Sequence, residues 1–233
     1  MPDRLIVTEE NQLKEISVPE LPSQPAWIRL IAKILSYVFH PLFVPLYITW
    51  FIFTVRAYQF ASLDPWSKTL KLLLVFITCS FFPLISILLL RALNFIDSVY
   101  LKTQKDRIIP YIICMTFYFS VWYYFRKNHE AADLVGMGLA IFNASVAGFI
   151  LNIFMKVSMH AIAMGVMTTF VAILTFHETV NMSLYLSLSL LIAGLVCTSR
   201  LIVSDHRPAE IYIGVIAGVL SQLAAHYFVN QDF

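Results

Sequence analysis

Arg200, Asp205, His206, Arg207 and Glu210 fall within eleven residues of an otherwise apolar chain, in the stretch TSRLIVSDHRPAEIYIG (198–214). An ion in hydrocarbon is costly, so such a cluster lies at a membrane surface or does chemistry. The spacing suits both. His206 and Glu210 are four residues apart and share a face if helical, the arrangement a histidine needs from a carboxylate that fixes its tautomer. Pro208 between them suits a first helical turn, where its missing N–H costs nothing. Arg200 offers two parallel contacts to phosphate oxygens, which a lysine does not. A second histidine, His160, follows Ser158 at the start of another apolar run; Ser158 reads as a helix cap or a phosphate donor. Several cations around two histidines suit an anion whose charge changes in the transition state, above all a phosphoryl group. One ring attacks phosphorus and the other protonates the leaving oxygen. The sequence has no HExxH, DxD or paired carboxylates, so no metal and no cofactor are expected.

The elements that must position these groups are membrane helices. The chain has 233 residues, 59% hydrophobic and only 13% charged, with a mean hydropathy of +0.77; a soluble domain carries about a quarter charged residues. Apolar runs predict seven spans, over about 34–55, 71–91, 108–125, 132–155, 159–176, 183–203 and 209–228. Pro41 and Pro45 predict a kink or a broken start in the first, and Trp27, Arg29 and Lys33 an interfacial approach to it. The expected fold is all-α, a polytopic transmembrane helix bundle, with a polar leader over 1–27 and one membrane domain over 28–233. A multi-pass protein of the cell membrane follows.

Composition narrows the function further. A net charge of +2 without a basic run argues against nucleic acid. Cys79, Cys114 and Cys197 stand alone in apolar runs and read as small core residues. His40 and His226 lie within spans, and His129, Glu130, His177 and Glu178 on the opposite face; all read as packing or loop residues. Asn143 and Asn152 read as contacts between helices.

Seven spans place the loops after the second, fourth and sixth on one face. Those loops carry Lys102, Lys105, Arg107, Lys156, Ser158, His160, Arg200, His206 and Glu210, so distant segments are expected to converge on one cationic site. This face also has more Lys and Arg than the other, but about half of them belong to the site, so its sidedness is left open.

These residues resemble the type 2 phosphatidic acid phosphatase superfamily of membrane lipid phosphatases, whose motifs are KxxxxxxRP, PSGH and SRxxxxxHxxxD. SRLIVSDHRPAE has Ser199, Arg200 and His206 at the family spacing and Glu210 in place of Asp; VSMH (157–160) has the Ser and His of the second motif; KTQKDRIIP (102–110) looks like the first. Residues 71–228 carry the likeness. It implies a six-helix phosphatase core plus one N-terminal span, and a metal-independent phosphohistidine mechanism. By position His206 is then the nucleophile, His160 the general acid and Glu210 the orienter, with Arg107, Ser158 and Arg200 on the phosphate. The first motif fixes no lysine; Lys102 is taken over Lys105. Val157 and Met159 stand where the family has Pro and Gly, and Met159 is expected to narrow the phosphate site.

The implied substrate is an amphiphilic lipid phosphate or diphosphate, the implied partners are membrane lipids, and the oligomeric state is left open. The alternative is a catalytically degenerate relative that binds a lipid headgroup, transports a phosphorylated molecule or serves as a scaffold. A secondary transporter ranks third, because no inverted repeat is visible.

Overall fold

The computed structural model describes residues 5–7, 13–15, 24–96, 99, 101, 104–177, 181–203 and 206–232. Two three-residue strands, β1 (Leu5–Val7) and β2 (Leu13–Glu15), pair antiparallel within the leader. The remainder is helical: α1 (Ala26–Val38), α2 (Val44–Val55), α3 (Pro65–Val75), α4 (Phe82–Ala92), α5 (Gln104–Lys127), α6 (Ala132–Phe154), α7 (Met159–His177), α8 (Ser183–Val203) and α9 (Pro208–Asp232). Among the described residues, seven helical stretches are long and apolar enough to cross a membrane. Side chains such as Ile153, Phe154, Leu190 and Leu191 are more than half exposed, an apolar surface that lipid, not water, must cover. The fold is a polytopic helical bundle.

The first two spans are longer than the apolar runs predicted. The first is Ala26–Val55 and the second Pro65–Ala92, because interfacial residues (Trp27, Arg29, Lys33) and a capped polar turn continue the helices outward. Asp64 accepts the Ser67 N–H and Pro65 takes the first position of α3.

Both spans are interrupted. The first breaks between α1 and α2, where Pro41–Phe43 form a 3-10 turn and the His40 ring accepts the Leu42 N–H. The second passes through a π turn at Phe76–Phe81, just before Pro83. The two irregular stretches meet, and Ser80 Oγ donates to the Leu42 carbonyl at 2.6 Å. Broken backbone at membrane depth survives only where protein or a cavity satisfies it, and here a serine hydroxyl does so.

Elsewhere the helices cross closely. A Cβ at Gly165 of α7 would lie 2.3 Å from the Val215 carbonyl oxygen, and one at Gly218 of α9 would lie 2.1 Å from that of Ile162. Only glycine admits this backbone contact. Between α5 and α6, Gln104 and Asn152 exchange amide-to-carbonyl hydrogen bonds of 2.9 Å in both directions, the interhelical contact expected of Asn152. At the other end of the bundle, Arg56 pairs with Asp133 and Lys71 with Glu130.

Gly218→Ala should therefore lower the thermal midpoint in detergent by several degrees, an overpacking cost of about 1–3 kcal/mol. Gly194→Ala, with nothing within 4 Å of the added carbon, should leave the midpoint unchanged or raise it.

Candidate active site

The α7–α9 crossing sets the first turns of two helices side by side, and each begins at a motif. Ser158 caps α7: its hydroxyl accepts the Ala161 N–H at 3.4 Å, and its own N–H donates to the Glu210 carbonyl at 3.3 Å. The latter bond ties the start of α7 to the start of α9. Glu210 turns its side chain back one turn, where Oε2 accepts from His206 Nδ1 at 2.8 Å and from the Arg207 N–H at 3.2 Å. Since a carboxylate only accepts, Nδ1 carries the proton and Nε2 keeps its lone pair in the neutral ring. The longer reach of Glu relative to Asp is absorbed in that return path.

His206 is 8% exposed. Burial pushes its pKa below the ordinary histidine value; the hydrogen bond to Glu210 pulls it back up, and Arg107 and Arg200 push it further down. The net shift is downward, which keeps the ring neutral near pH 7.

Arg107 is buried where α5 begins. Its Nε donates to the Leu101 carbonyl at 2.9 Å and its Nη1 to the Val157 carbonyl at 2.7 Å, so one guanidinium straps the first motif segment to the second. Leu101 adopts a left-handed conformation (φ 48°) in which its carbonyl receives this bond. A non-glycine residue in that region is unfavourable locally and must be held by its surroundings.

These groups surround a cavity of about 550 Å³. Arg107, His160, Arg200 and His206 all line it; three segments far apart in sequence do converge. Ser158 and Glu210 do not line the wall. Ser158 is wholly buried, with its hydroxyl on the Ala161 N–H. Lys102, like Asp205, lies outside the described residues. Lys105 is exposed beside a separate recess next to Ile108 and Asn152, whereas Lys156 and Lys33 line the main cavity. Met159 lines the wall, and it also packs against the Ile87, Ile96 and Leu101 cluster.

Sequence reasoning missed the contribution of the first span. His160 Nε2 lies 3.0 Å from the Ser36 carbonyl oxygen of α1; a carbonyl only accepts, so Nε2 carries a proton and Nδ1 is the nitrogen left for the cavity. The His40 ring lies edge-on to that of His160, with centroids 5.3 Å apart, and lines the same cavity. From the sequence alone His40 reads as a packing residue, and the structure places it at the cavity wall instead. The usable signal was a histidine at a proline-broken helix start, His40-Pro41, where irregular backbone must border protein or a cavity.

Comparison with protein families, curated proteins and solved structures finds no family model, no curated protein and no solved structure that matches the chain. What the site can do is therefore argued from its own geometry: a neutral, carboxylate-backed imidazole, a second imidazole with a carbonyl behind it, and two guanidinium groups on one cavity wall.

In histidine-labelled protein followed by NMR, the His206 ring should be mostly neutral at pH 6.5 and protonate only at lower pH. Glu210→Gln should move that midpoint further down, because the hydrogen bond and charge it removes favour the protonated ring. A midpoint above the ordinary histidine value would contradict this electrostatic picture.

Proposed function

We propose that the protein is an integral membrane phosphatase that hydrolyses a lipid phosphate or diphosphate through a phosphohistidine intermediate, without a metal ion. The observation that carries the proposal is the His206–Glu210 hydrogen bond of 2.8 Å at the wall of a cavity shared with Arg107, Arg200 and His160.

The step begins with the Nε2 lone pair of neutral His206 attacking phosphorus. An N–P bond forms and the P–O bond to the lipid alcohol breaks. His160, protonated at both ring nitrogens when the phosphate anion is bound, donates its Nδ1 proton to that oxygen, and the alcohol leaves neutral. Glu210 accepts the Nδ1–H of His206 throughout and stabilises the charge that grows on the ring. Arg107 and Arg200 hold the phosphoryl oxygens as the charge spreads over them. Water then attacks the phosphorus and gives its proton to Nδ1 of His160. The N–P bond breaks, and inorganic phosphate departs. Ser36, through its carbonyl, and His40, through its ring edge, fix the direction from which His160 delivers the proton.

The cell membrane and a lipid substrate belong to the same proposal, since the site opens among membrane-spanning helices. The alternative of a degenerate relative that only binds a headgroup is favoured by Met159 in place of glycine. Its side chain is accommodated at the wall by the neighbouring isoleucines, which supports a site that still admits phosphate.

Purified protein in detergent with excess EDTA should release phosphate from lipid mono- or diphosphates, and His206→Ala should abolish the release while folding normally. Glu210→Gln should reduce turnover by up to about 10⁴-fold, the size of effect that a wrong histidine tautomer has elsewhere. Activity retained in His206→Ala would reject the mechanism.

His160→Ala should cost orders of magnitude with an alkyl phosphate, whose leaving oxygen needs a proton, and little with p-nitrophenyl phosphate, whose leaving group does not. His40→Ala should show the same split, smaller in size. Equal losses on both substrates would remove these residues from proton delivery.

A further inference from the structure

The cavity does not end at the phosphate site. On α5 its wall runs from Arg107 through Pro110, Tyr111 and Cys114 to Tyr118, positions that repeat at helical spacing on one face. Eleven residues of helix correspond to about 16 Å of depth. Ile141 and Ala144 of α6 and Val166 of α7 close the deep end. They are buried, as is Tyr118, so the floor is sealed and mostly apolar. The upper side is different. Tyr37 of α1 (60% exposed) and Leu84 and Leu88 of α4 (43% and 47%) are cavity wall and outer surface at once. Polar groups thus crowd one end of the cavity, its side opens between two membrane helices, and its other end is an apolar blind pocket.

We propose that this blind pocket encloses a hydrocarbon chain of the substrate over about a dozen carbons, while any further carbons stay in the bilayer beyond Tyr37 and Leu88. The inference deepens the proposed function and rests on its phosphate site. The length comes from the depth of about 16 Å between Arg107 and Tyr118, which an extended chain of that order spans. The preferred class is therefore a phosphate carried on a long apolar chain, which slides in from the membrane through the side opening.

The test uses n-alkyl phosphonates of four to eighteen carbons, which bind but are not hydrolysed. Affinities are measured for the unmodified protein, for Ala163→Phe, which adds bulk from a small wall residue of α7, and for Ile141→Ala, which deepens the floor. Expressing each result as the ratio of unmodified protein to variant cancels partition of the ligand into detergent. Affinity in the unmodified protein should stop rising near twelve carbons. Ala163→Phe should bind the four-carbon ligand as the unmodified protein does and the twelve-carbon ligand at least tenfold more weakly, and Ile141→Ala should move the plateau to longer chains. Retained four-carbon binding reports that the variants are folded.

Ratios independent of chain length in both variants, or affinity still rising at eighteen carbons, would overturn the proposal. If the phosphonates follow the expected profile but no lipid phosphate is hydrolysed, the chain pocket stands and the phosphatase reading fails. If hydrolysis proceeds without the profile, the pocket alone is wrong.

Discussion

Everything at the site depends on how closely α7 and α9 approach. Their backbones touch at Gly165 and Gly218, where any side chain would collide with a carbonyl oxygen. In lipid, helices gain little from burying apolar surface against one another, so small residues and close packing must hold them together. This contact does more than hold. It fixes the register of two helix starts, so that the Ser158 N–H reaches the Glu210 carbonyl and His160 and His206 face one cavity. Gly214 extends the same seam, since a Cβ there would meet the Ala161 Cβ and the Ser158 oxygen, each at 3.0 Å. The Arg107 guanidinium then adds the third segment by binding the carbonyls of Leu101 and Val157.

The broken spans serve the same cavity from the opposite side. A straight first helix would present no free backbone to His160. The break after Val38 places His40 against His160, and the Ser36 carbonyl, near the end of α1, accepts from the His160 ring. The break is stabilised by another irregularity, since Ser80 in the π turn satisfies the Leu42 carbonyl. Such turns inside membrane helices often accompany functional sites. Here they let a span outside the three motif segments place a carbonyl and a second ring against His160.

The parts of this arrangement that were legible in the sequence are those governed by local periodicity. Seven apolar runs gave seven spans, and a four-residue spacing gave the His206–Glu210 pair, because a helix alone decides that geometry. Topology brought Arg107, His160 and Arg200 to one face by counting crossings. What local pattern does not encode is which side chain turns inward. Lys105 was as cationic as Lys156, yet it sits on the exposed side of α5 while Lys156 lines the cavity. Ser158 fitted a cap and a phosphate donor, and the structure shows the cap, its hydroxyl accepting the Ala161 N–H. His40 lies 120 residues from His160, so only tertiary packing reveals the pair. The outer turns of the first two spans were hidden for a different reason: interfacial helices carry polar residues that interrupt an apolar run without ending the helix.

The central claim is that His206 forms a covalent bond to phosphorus. The most direct measurement is to mix the protein with a lipid phosphate labelled in its phosphoryl group, quench with alkali within a turnover, and map the labelled peptide. The account predicts label on the peptide containing His206, stable to alkali, released by acid and absent from His206→Ala. Phosphate released at full rate with no labelled protein, or label carried by another residue, would contradict it.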